Sequence, residues 1–217
     1  MSKKKKFEAP YGVETRAYTC ALEARSSENS EEGIIEGHPI VYASRALIDG
    51  VWDEEIDPGA LVGCDMKDVM LLVNHNRSEI PLARSRNNTE NSTMQLEVRE
   101  DGLHFRARIA KSNPRGAELL SAVSRGDIRG MSFGFIVGKD HWEHLDREIP
   151  LRHIEKIEKL IEVSAVNNPA YEASEISTRS LDCAREALES EKKALEKARE
   201  EARTRAEILK SLCEVKL

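Results

Sequence analysis

The chain has 217 residues, of which 40% are hydrophobic and 5% aromatic, and its 39 acidic and 33 basic side chains give a net charge of −6. This length suits one domain with an appendage and is enough to bury a core without disulfide bonds. The acidic balance argues against a general attraction to nucleic acid or to a membrane surface. No apolar run approaches the roughly 18 residues of a membrane-spanning helix.

The N-terminal region is basic, and we expect no secretion signal in it. Four lysines at 3–6 are followed by a mixed stretch instead of an apolar one, so we predict a flexible tail over 1–10 and a cytoplasmic protein. Thiols in that compartment stay reduced. The four cysteines form no C-x-x-C pair, and we interpret them as inert packing residues: Cys20, Cys64, Cys183 and Cys213.

Short strands dominate residues 11–176, which we predict to form the main domain. Runs that alternate or carry β-branched residues, bounded by Gly, Ser or Asp, indicate strands. These runs are ETRAYTCALEAR, GIIEGHPIVYAS, DVMLLVNH, MQLEVREDGLHFRARIA, MSFGFIVG and KLIEVSAV. The Asp-Gly step at 101–102 predicts a hairpin turn. Many short strands at close spacing predict a barrel or a sandwich.

Helices are predicted in three places. SNPRGAELLSAVSRG should form one, with Ser112 or Asn113 as its cap, Pro114 in its first turn and Gly126 at its end. DPGALVG should form a shorter helical turn. Residues 177–217 have Leu and Ala at 3-4 spacing with many charges, which predicts one long helix. A weak coiled coil, a solvated helix and a tail that docks on a partner all remain open for it.

Ser132 interrupts an apolar run, GMSFGF, and is either a small core residue or a nucleophile. A serine hydroxyl attacks only when a base lies within hydrogen-bond reach and a third group orients that base. His75 ends the buried-looking strand DVMLLVNH, which is a suitable place for a general base. The other interpretation of His75 is a surface histidine at a turn.

Glu162 interrupts the apolar strand KLIEVSAV. If that strand is buried on both faces, an unpaired carboxylate is costly and a histidine N–H is a suitable partner. The alternative is that Glu162 faces solvent on an edge strand.

Three histidines raise the possibility of a zinc site. His141 and His144 have H-x-x-H spacing, and His153 follows in PLRHIEK. This spacing is a weak signal without a helix or a glutamate general base beside it. Because both stretches are polar, we predict solvated loop histidines and no metal.

Five segments resemble the prohead, or capsid maturation, proteases of tailed bacteriophages. In order they are IIEGHPIVYAS, EEIDPGAL, LLVNHNRSEIPLARS, RGDIRGMSFGF and LIEVSAVNNPAY, within roughly residues 15–176. The last three also resemble, more distantly, the herpesvirus assembly proteases. The combination of NH, GMSFGF and EVSAVNNPAY is specific, whereas each alone would be weak.

The resemblance implies a mainly β α+β fold, a small closed β-barrel with surrounding helices, followed by the long C-terminal helix. It implies a serine endopeptidase in which Ser132 is the nucleophile, His75 the general base and Glu162 the third member. Glu162 takes the position at which the herpesvirus enzymes carry a second histidine, and His153 is the rival third member. Backbone N–H groups near Ser132 or in the NNP turn are the expected oxyanion donors.

The implied substrates are the internal scaffold and major capsid proteins of the procapsid, and the protease itself. The reaction would take place inside the procapsid in the host cytoplasm, with no cofactor, nucleic acid or membrane, and self-association is possible. The alternative is a non-catalytic assembly module that binds capsid or scaffold, with an oligomerising helical tail and Ser132 packed between strands.

Overall fold

A computed structural model of the protein describes residues 12–19, 22–26, 31–167 and 175–214. The predicted basic tail, residues 1–10, lies outside this part of the chain. The described strands are β1 (Glu14–Thr19), β2 (Leu22–Ser26), β3 (Glu32–Val41), β4 (Ala46–Ile48), β5 (Trp52–Ile56), β6 (Val69–Val73), β7 (Ala83–Ser85), β8 (Met94–Arg99), β9 (Gly102–Ala110), β10 (Gly130–Glu143) and β11 (Leu151–Val166). The described helices are α1 (Pro114–Arg125) and α2 (Glu175–Glu214).

The described strands form two sheets. The larger has the order β1-β10-β11-β5-β4, with β6 attached to β11 and β7 to β6, and the smaller has the order β2-β3-β9-β8. The predicted mainly β class is confirmed. A closed barrel is not found among these strands, so the closure of the sheet stays a prediction.

Strand β11 organises the larger sheet because it is long enough to pair with several strands. One edge pairs antiparallel with β10 along most of its length. Its other edge is shared by two parallel partners, β5 opposite 151–154 and β6 opposite 162–165. A residue near either end of β11 therefore lies between two neighbouring strands, in the interior of the sheet.

The local sequence signals for the hairpin and the first helix are confirmed. Strands β8 and β9 pair across the Asp-Gly step. The Asn113 side chain accepts a hydrogen bond from the Arg115 N–H, and Gly126 ends α1 with a φ of 75°, which glycine adopts readily. DPGALVG forms consecutive hydrogen-bonded turns, the first closed by Ala60 N donating to Asp57 O, but Gly59 has a φ of 85° and the segment is not the helical turn expected there.

The prediction that His141 and His153 lie in polar loops is wrong. The hairpin continues to the pair Glu143–Leu151, and His141 is directly opposite His153 across β10 and β11. Only His144 follows the strand, in the connecting turn. The polarity of the hairpin has two sources, because Arg152 is buried there against carboxylates whereas His141 and Glu143 are exposed to solvent.

Helix α2 is attached to the sheet at its beginning. Leu181 is buried in the core, and the Ser180 hydroxyl lies between the Trp142 ring N–H and the Asp140 carboxylate. The described side chains from 191 to 206 are exposed. The helix itself is therefore confirmed, whereas the division into a domain at 11–176 and a tail at 177–217 stays a prediction. None of the described helices is both long and apolar enough to cross a membrane.

Candidate active site

Ser132, Ser164 and Glu162 lie on one face of the β10–β11 hairpin. Ser132 is directly opposite Ser164, and Gly134 is directly opposite Glu162. Side chains two apart on a strand share a face, so the four positions form two neighbouring rows. Ser132, Ser164 and Glu162 are all completely buried. The sequence places a carboxylate and two hydroxyls together in a dry part of the sheet.

His75 is brought to these rows by strand β6. Because β6 runs parallel to β11, with Met70 opposite Glu162, its chain passes Glu162 and turns back beyond Val73. The turn is closed by the hydrogen bond from Asn76 N to Val73 O. Both central residues have positive φ, 50° for Asn74 and 57° for His75. Non-glycine residues adopt this conformation uncommonly, and such strain is concentrated at functional positions.

The His75 ring and the Glu162 carboxylate form the central contact of the site. Nδ1 of His75 lies 2.6 Å from Oε1 of Glu162, and the Ser164 hydroxyl donates to Oε2 over 2.5 Å. An ionised carboxylate only accepts hydrogen bonds, so Nδ1 carries the proton. A neutral ring then has its lone pair on Nε2, which is the atom that a general base uses.

The Ser132 hydroxyl points to a backbone carbonyl in the same sheet. Its Oγ donates to the Arg16 carbonyl of β1 over 2.7 Å. Among the described residues, no hydrogen bond joins the Ser132 hydroxyl to His75. The structure thus pairs the predicted base with the predicted acid. It leaves the predicted nucleophile one row away and turned toward β1.

Gly134 provides the space in which the Glu162 carboxylate lies. A Cβ atom at position 134 would come within 2.6 Å of Glu162 Oε1 and 3.0 Å of Arg77 Nη2. Contacts under 3.0 Å force a displacement, and here the displaced oxygen is the one that bonds His75. The glycine two positions after Ser132 is therefore required by the carboxylate.

His153, the rival third member, lies elsewhere. Its Nδ1 is 2.8 Å from Asp57 Oδ1, and its ring stacks on His141. Among the cysteines, Cys64 is half-buried and burial raises the pKa of its thiol to about 11, so it is not a reactive thiolate. Cys20 and the side chain of Cys213 lie outside the described part of the chain.

A buried ion network on the same sheet was not anticipated from the sequence. Arg16 bonds Glu14 and Glu54, and Arg152 bonds both of these and Asp140. Burial lowers the pKa of Arg152, but the carboxylates of Glu14 and Glu54 outweigh it and raise that pKa above its ordinary value. This network fixes β1, whose Arg16 carbonyl holds the Ser132 hydroxyl.

Two further residues of the site were missed, and one had a detectable signal. Ser164 stands two positions after Glu162, which in a strand places both on one face. Its hydroxyl donates to Oε2 of Glu162, whereas His75 contacts Oε1. Arg77 comes close to Gly134 through the fold of the chain after β6, and nothing in the local sequence indicates this approach.

The model of one protein family, the caudovirus prohead serine proteases, matches residues 20–187. The chain belongs to this family. The prohead protease of Enterobacteria phage HK97 is 29% identical over 159 residues, which cover 71% of this chain and 64% of the relative. The chain thus matches less than two thirds of the length of that curated relative. No solved structure matches the chain.

The family agrees with the resemblance in the sequence motifs. The matched range includes His75, Ser132 and Glu162 and ends within α2. Glu14 and Arg16 of β1, which belong to the buried ion network, precede the matched range. The family is named for serine protease activity. The roles of individual residues are argued from the geometry of the site.

Proposed function

We propose that the protein is a serine endopeptidase of procapsid maturation, with Ser132 as nucleophile, His75 as general base and Glu162 as the group that orients the base. The observation that carries the proposal is the 2.6 Å contact between His75 Nδ1 and the fully buried Glu162. A buried carboxylate beside an imidazole holds one tautomer and stabilises the imidazolium that forms during catalysis.

The chemistry requires one rearrangement of the site. The Ser132 hydroxyl leaves the Arg16 carbonyl and turns toward Nε2 of His75, which takes its proton as Oγ attacks the peptide carbonyl. His75 then gives this proton to the leaving amine as the peptide C–N bond breaks, which leaves an acyl-enzyme. Water, deprotonated by His75, attacks the ester, and the acyl group leaves as a carboxylic acid while Ser132 regains its proton. Catalytic hydrogen bonds are often long or poorly aligned before substrate binds and tighten in the complex. Backbone N–H groups near Ser132 remain the predicted oxyanion donors, whereas Asn168 and Pro169 of the NNP turn lie outside the described residues.

A surface cleft beside the His75 turn is the place that we propose for the substrate chain. It has a volume of about 580 Å³ and is lined by Asn74 and Asn167 and, from α1, by Leu119 and Ala122. A bulky side chain at one of these lining positions should therefore interfere with substrate binding. We expect Ala122→Trp to raise KM more than it lowers kcat, and an unchanged KM would place the substrate elsewhere.

The proposed substrates are the scaffold and capsid proteins of the procapsid and the chain itself. Intact mass measured over time, with scaffold and capsid protein of the same phage present, should show cleavage in the parent protein. It should show none in the Ser132→Ala variant. If the parent and the variant both keep every chain at full mass under assembly conditions, the peptidase proposal is wrong and a non-catalytic assembly module is favoured.

The nucleophile is tested separately by labelling with a serine-directed fluorophosphonate. Label found on the peptide that contains Ser132, and lost in Ser132→Ala and His75→Ala, supports the assignment. Ser164→Ala is the matched control, because this serine faces Ser132 directly and already donates to Glu162. Label on Ser164 instead would assign the nucleophile to the opposite strand.

A further inference from the structure

The outer end of the β10–β11 hairpin carries a group of side chains that the proposed peptidase chemistry does not use. His141 and His153 are opposite each other, and Glu143 follows two positions after His141 on the same strand. One nitrogen from each ring and one oxygen of Glu143 lie within 4.8 Å of one another. Ser132 is on the same strand as His141, nine positions earlier, which in an extended chain is roughly 30 Å.

Both imidazoles are oriented by carboxylates behind them. Nδ1 of His153 lies 2.8 Å from Asp57 Oδ1, and Nδ1 of His141 lies 2.7 Å from Glu155 Oε1. Since a carboxylate only accepts, each Nδ1 carries a proton and each Nε2 keeps its lone pair in the neutral ring. Metal-binding histidines in proteins commonly have this arrangement, with the second ring nitrogen bonded to a carboxylate.

The two Nε2 atoms are directed to the same glutamate. His141 Nε2 lies 3.6 Å from Glu143 Oε1, and His153 Nε2 lies 3.9 Å from Glu143 Oε2. Ligand atoms of a tetrahedral zinc ion are about 3.4 Å apart when each bond is close to 2.1 Å. Small side-chain rotations would therefore bring the three atoms to bonding positions. His141 and Glu143 are exposed and His153 is partly exposed, so an ion has access.

We propose that His141, Glu143 and His153 bind one zinc ion, with solvent in the remaining position. Two imidazole nitrogens and one carboxylate oxygen form a ligand set that suits zinc. Asp57 and Glu155 are positioning residues that hold the two rings. The ion would link β10 to β11 and, through Asp57, to the end of β5. The proposal does not depend on the peptidase activity.

A second group in the described residues, His38, Asp101 and His104, also brings three ligand atoms within 4.8 Å of one another, but both rings face one carboxylate and no second carboxylate orients them, so it provides the control. His104 Nε2 is occupied by Asp101 Oδ1 at 2.9 Å. His38 Nε2 is buried without a hydrogen-bond partner, and it is 2.8 Å from the place of a Cβ on Gly102. An ion has no approach to it there. His104→Ala should therefore leave zinc binding unchanged.

The test is a titration of the full chain with Zn²⁺ by calorimetry and with Co²⁺ by visible absorption, in a Ser132→Ala background that prevents self-cleavage. We expect one equivalent of Zn²⁺ and the intense d–d bands of four-coordinate Co²⁺. Both should disappear in the His141→Ala, His153→Ala double variant and persist in His104→Ala. Asp57→Asn should weaken binding by about 10- to 100-fold, since it acts only through His153.

Circular dichroism without metal checks that the double variant folds. If it does not, Glu143→Gln replaces it, because this exposed residue supplies the third ligand and its removal should weaken binding without altering the core. The proposal is overturned if the parent chain binds no stoichiometric zinc. It is also overturned if the variants at 141, 143 and 153 bind zinc as the parent does.

Discussion

Glu54 and Glu162 are both completely buried in the larger sheet, but they have different partners. Glu54 is bonded by Arg16 and Arg152, two guanidinium groups that do not lose their protons in proteins. Glu162 is bonded by the His75 ring and by a hydroxyl. One carboxylate thus faces fixed positive charge, and the other faces an imidazole, a ring that can accept and donate a proton in catalysis.

The difference separates a structural arrangement from a chemical one. Both arginine side chains of the Glu54 network are at most 2% exposed, so no reactant reaches them. The His75 side chain is 30% exposed and connects the buried Glu162 to the surface. Burial of a carboxylate therefore does not by itself identify a catalytic acid. The nature of its partner, and whether that partner reaches solvent, distinguish a catalytic carboxylate from a structural one. Four substitutions or conditions test this distinction.

The largest expected effect is on the rate when Glu162 becomes an amide. In Glu162→Gln the amide can donate to Nδ1, which would leave the proton of the ring on Nε2, the wrong side for a base. We expect kcat to fall about 10⁴-fold while the free energy of unfolding changes little. Peptide hydrolysis and urea unfolding measure the two quantities. A kcat within tenfold of the parent would remove Glu162 from the catalytic machinery.

The second effect is on stability when the ion network loses a cation. Arg152→Met leaves Glu14, Glu54 and Asp140 without one of their partners. Removing one member of a buried ion group costs about 3–5 kcal/mol of unfolding free energy. The matched control is Arg84→Met, whose exposed pair with Asp68 contributes about 0–1 kcal/mol. Equal losses in the two variants would show that the network contributes no more than a surface pair.

The third effect is on the geometry of the site. Gly134→Ala puts a methyl group 2.6 Å from Glu162 Oε1, so the carboxylate must move away from His75. Displacements of about 1 Å in a catalytic group lower rates by roughly 10²-fold. The control is Gly63→Ala, because Gly63 lies outside the site and a Cβ there meets nothing within 4 Å, although its φ of 74° adds strain. If only the control loses activity, the role assigned to Gly134 is wrong.

Local signals in the sequence predicted much of the fold, because each depends on neighbouring residues. The cap at Asn113, the glycine at 126 and the Asp-Gly turn at 101–102 specify their elements without reference to the rest of the chain. The parallel pairing of β6 with β11 has no such signal. It is nevertheless the pairing that carries His75 to Glu162, and the sequence did not predict it.

The error arose where polar side chains on two strands pair with each other and with neighbouring strands. Arg152, His153 and Asp140 indicated a solvated loop, whereas the structure places them on paired strands. Arg152 has partners on β1 and β5, and His153 pairs with a residue just after β5. A hydropathy pattern records whether each residue is polar and not whether another segment neutralises it. The partner Glu54 is 98 positions from Arg152, so the compensation is invisible to any local window.

The smallest expected effect is the pH dependence that Glu54 confers, because it involves one proton. Burial raises the pKa of Glu54, but Arg16 and Arg152 outweigh it and hold that pKa below the ordinary value of 4.5. At pH values below 4.5 the unfolded chain binds a proton that folded Glu54 still rejects. The stability that Glu54 contributes is thus fully present above pH 4.5 and is lost as the pH falls toward the lower folded value. Urea unfolding from about pH 6 to about pH 3 should show this slope in the parent and a shallower one in Glu54→Gln. Identical slopes would mean that Glu54 binds its proton equally in both states, and the contrast with Glu162 would then rest on geometry alone.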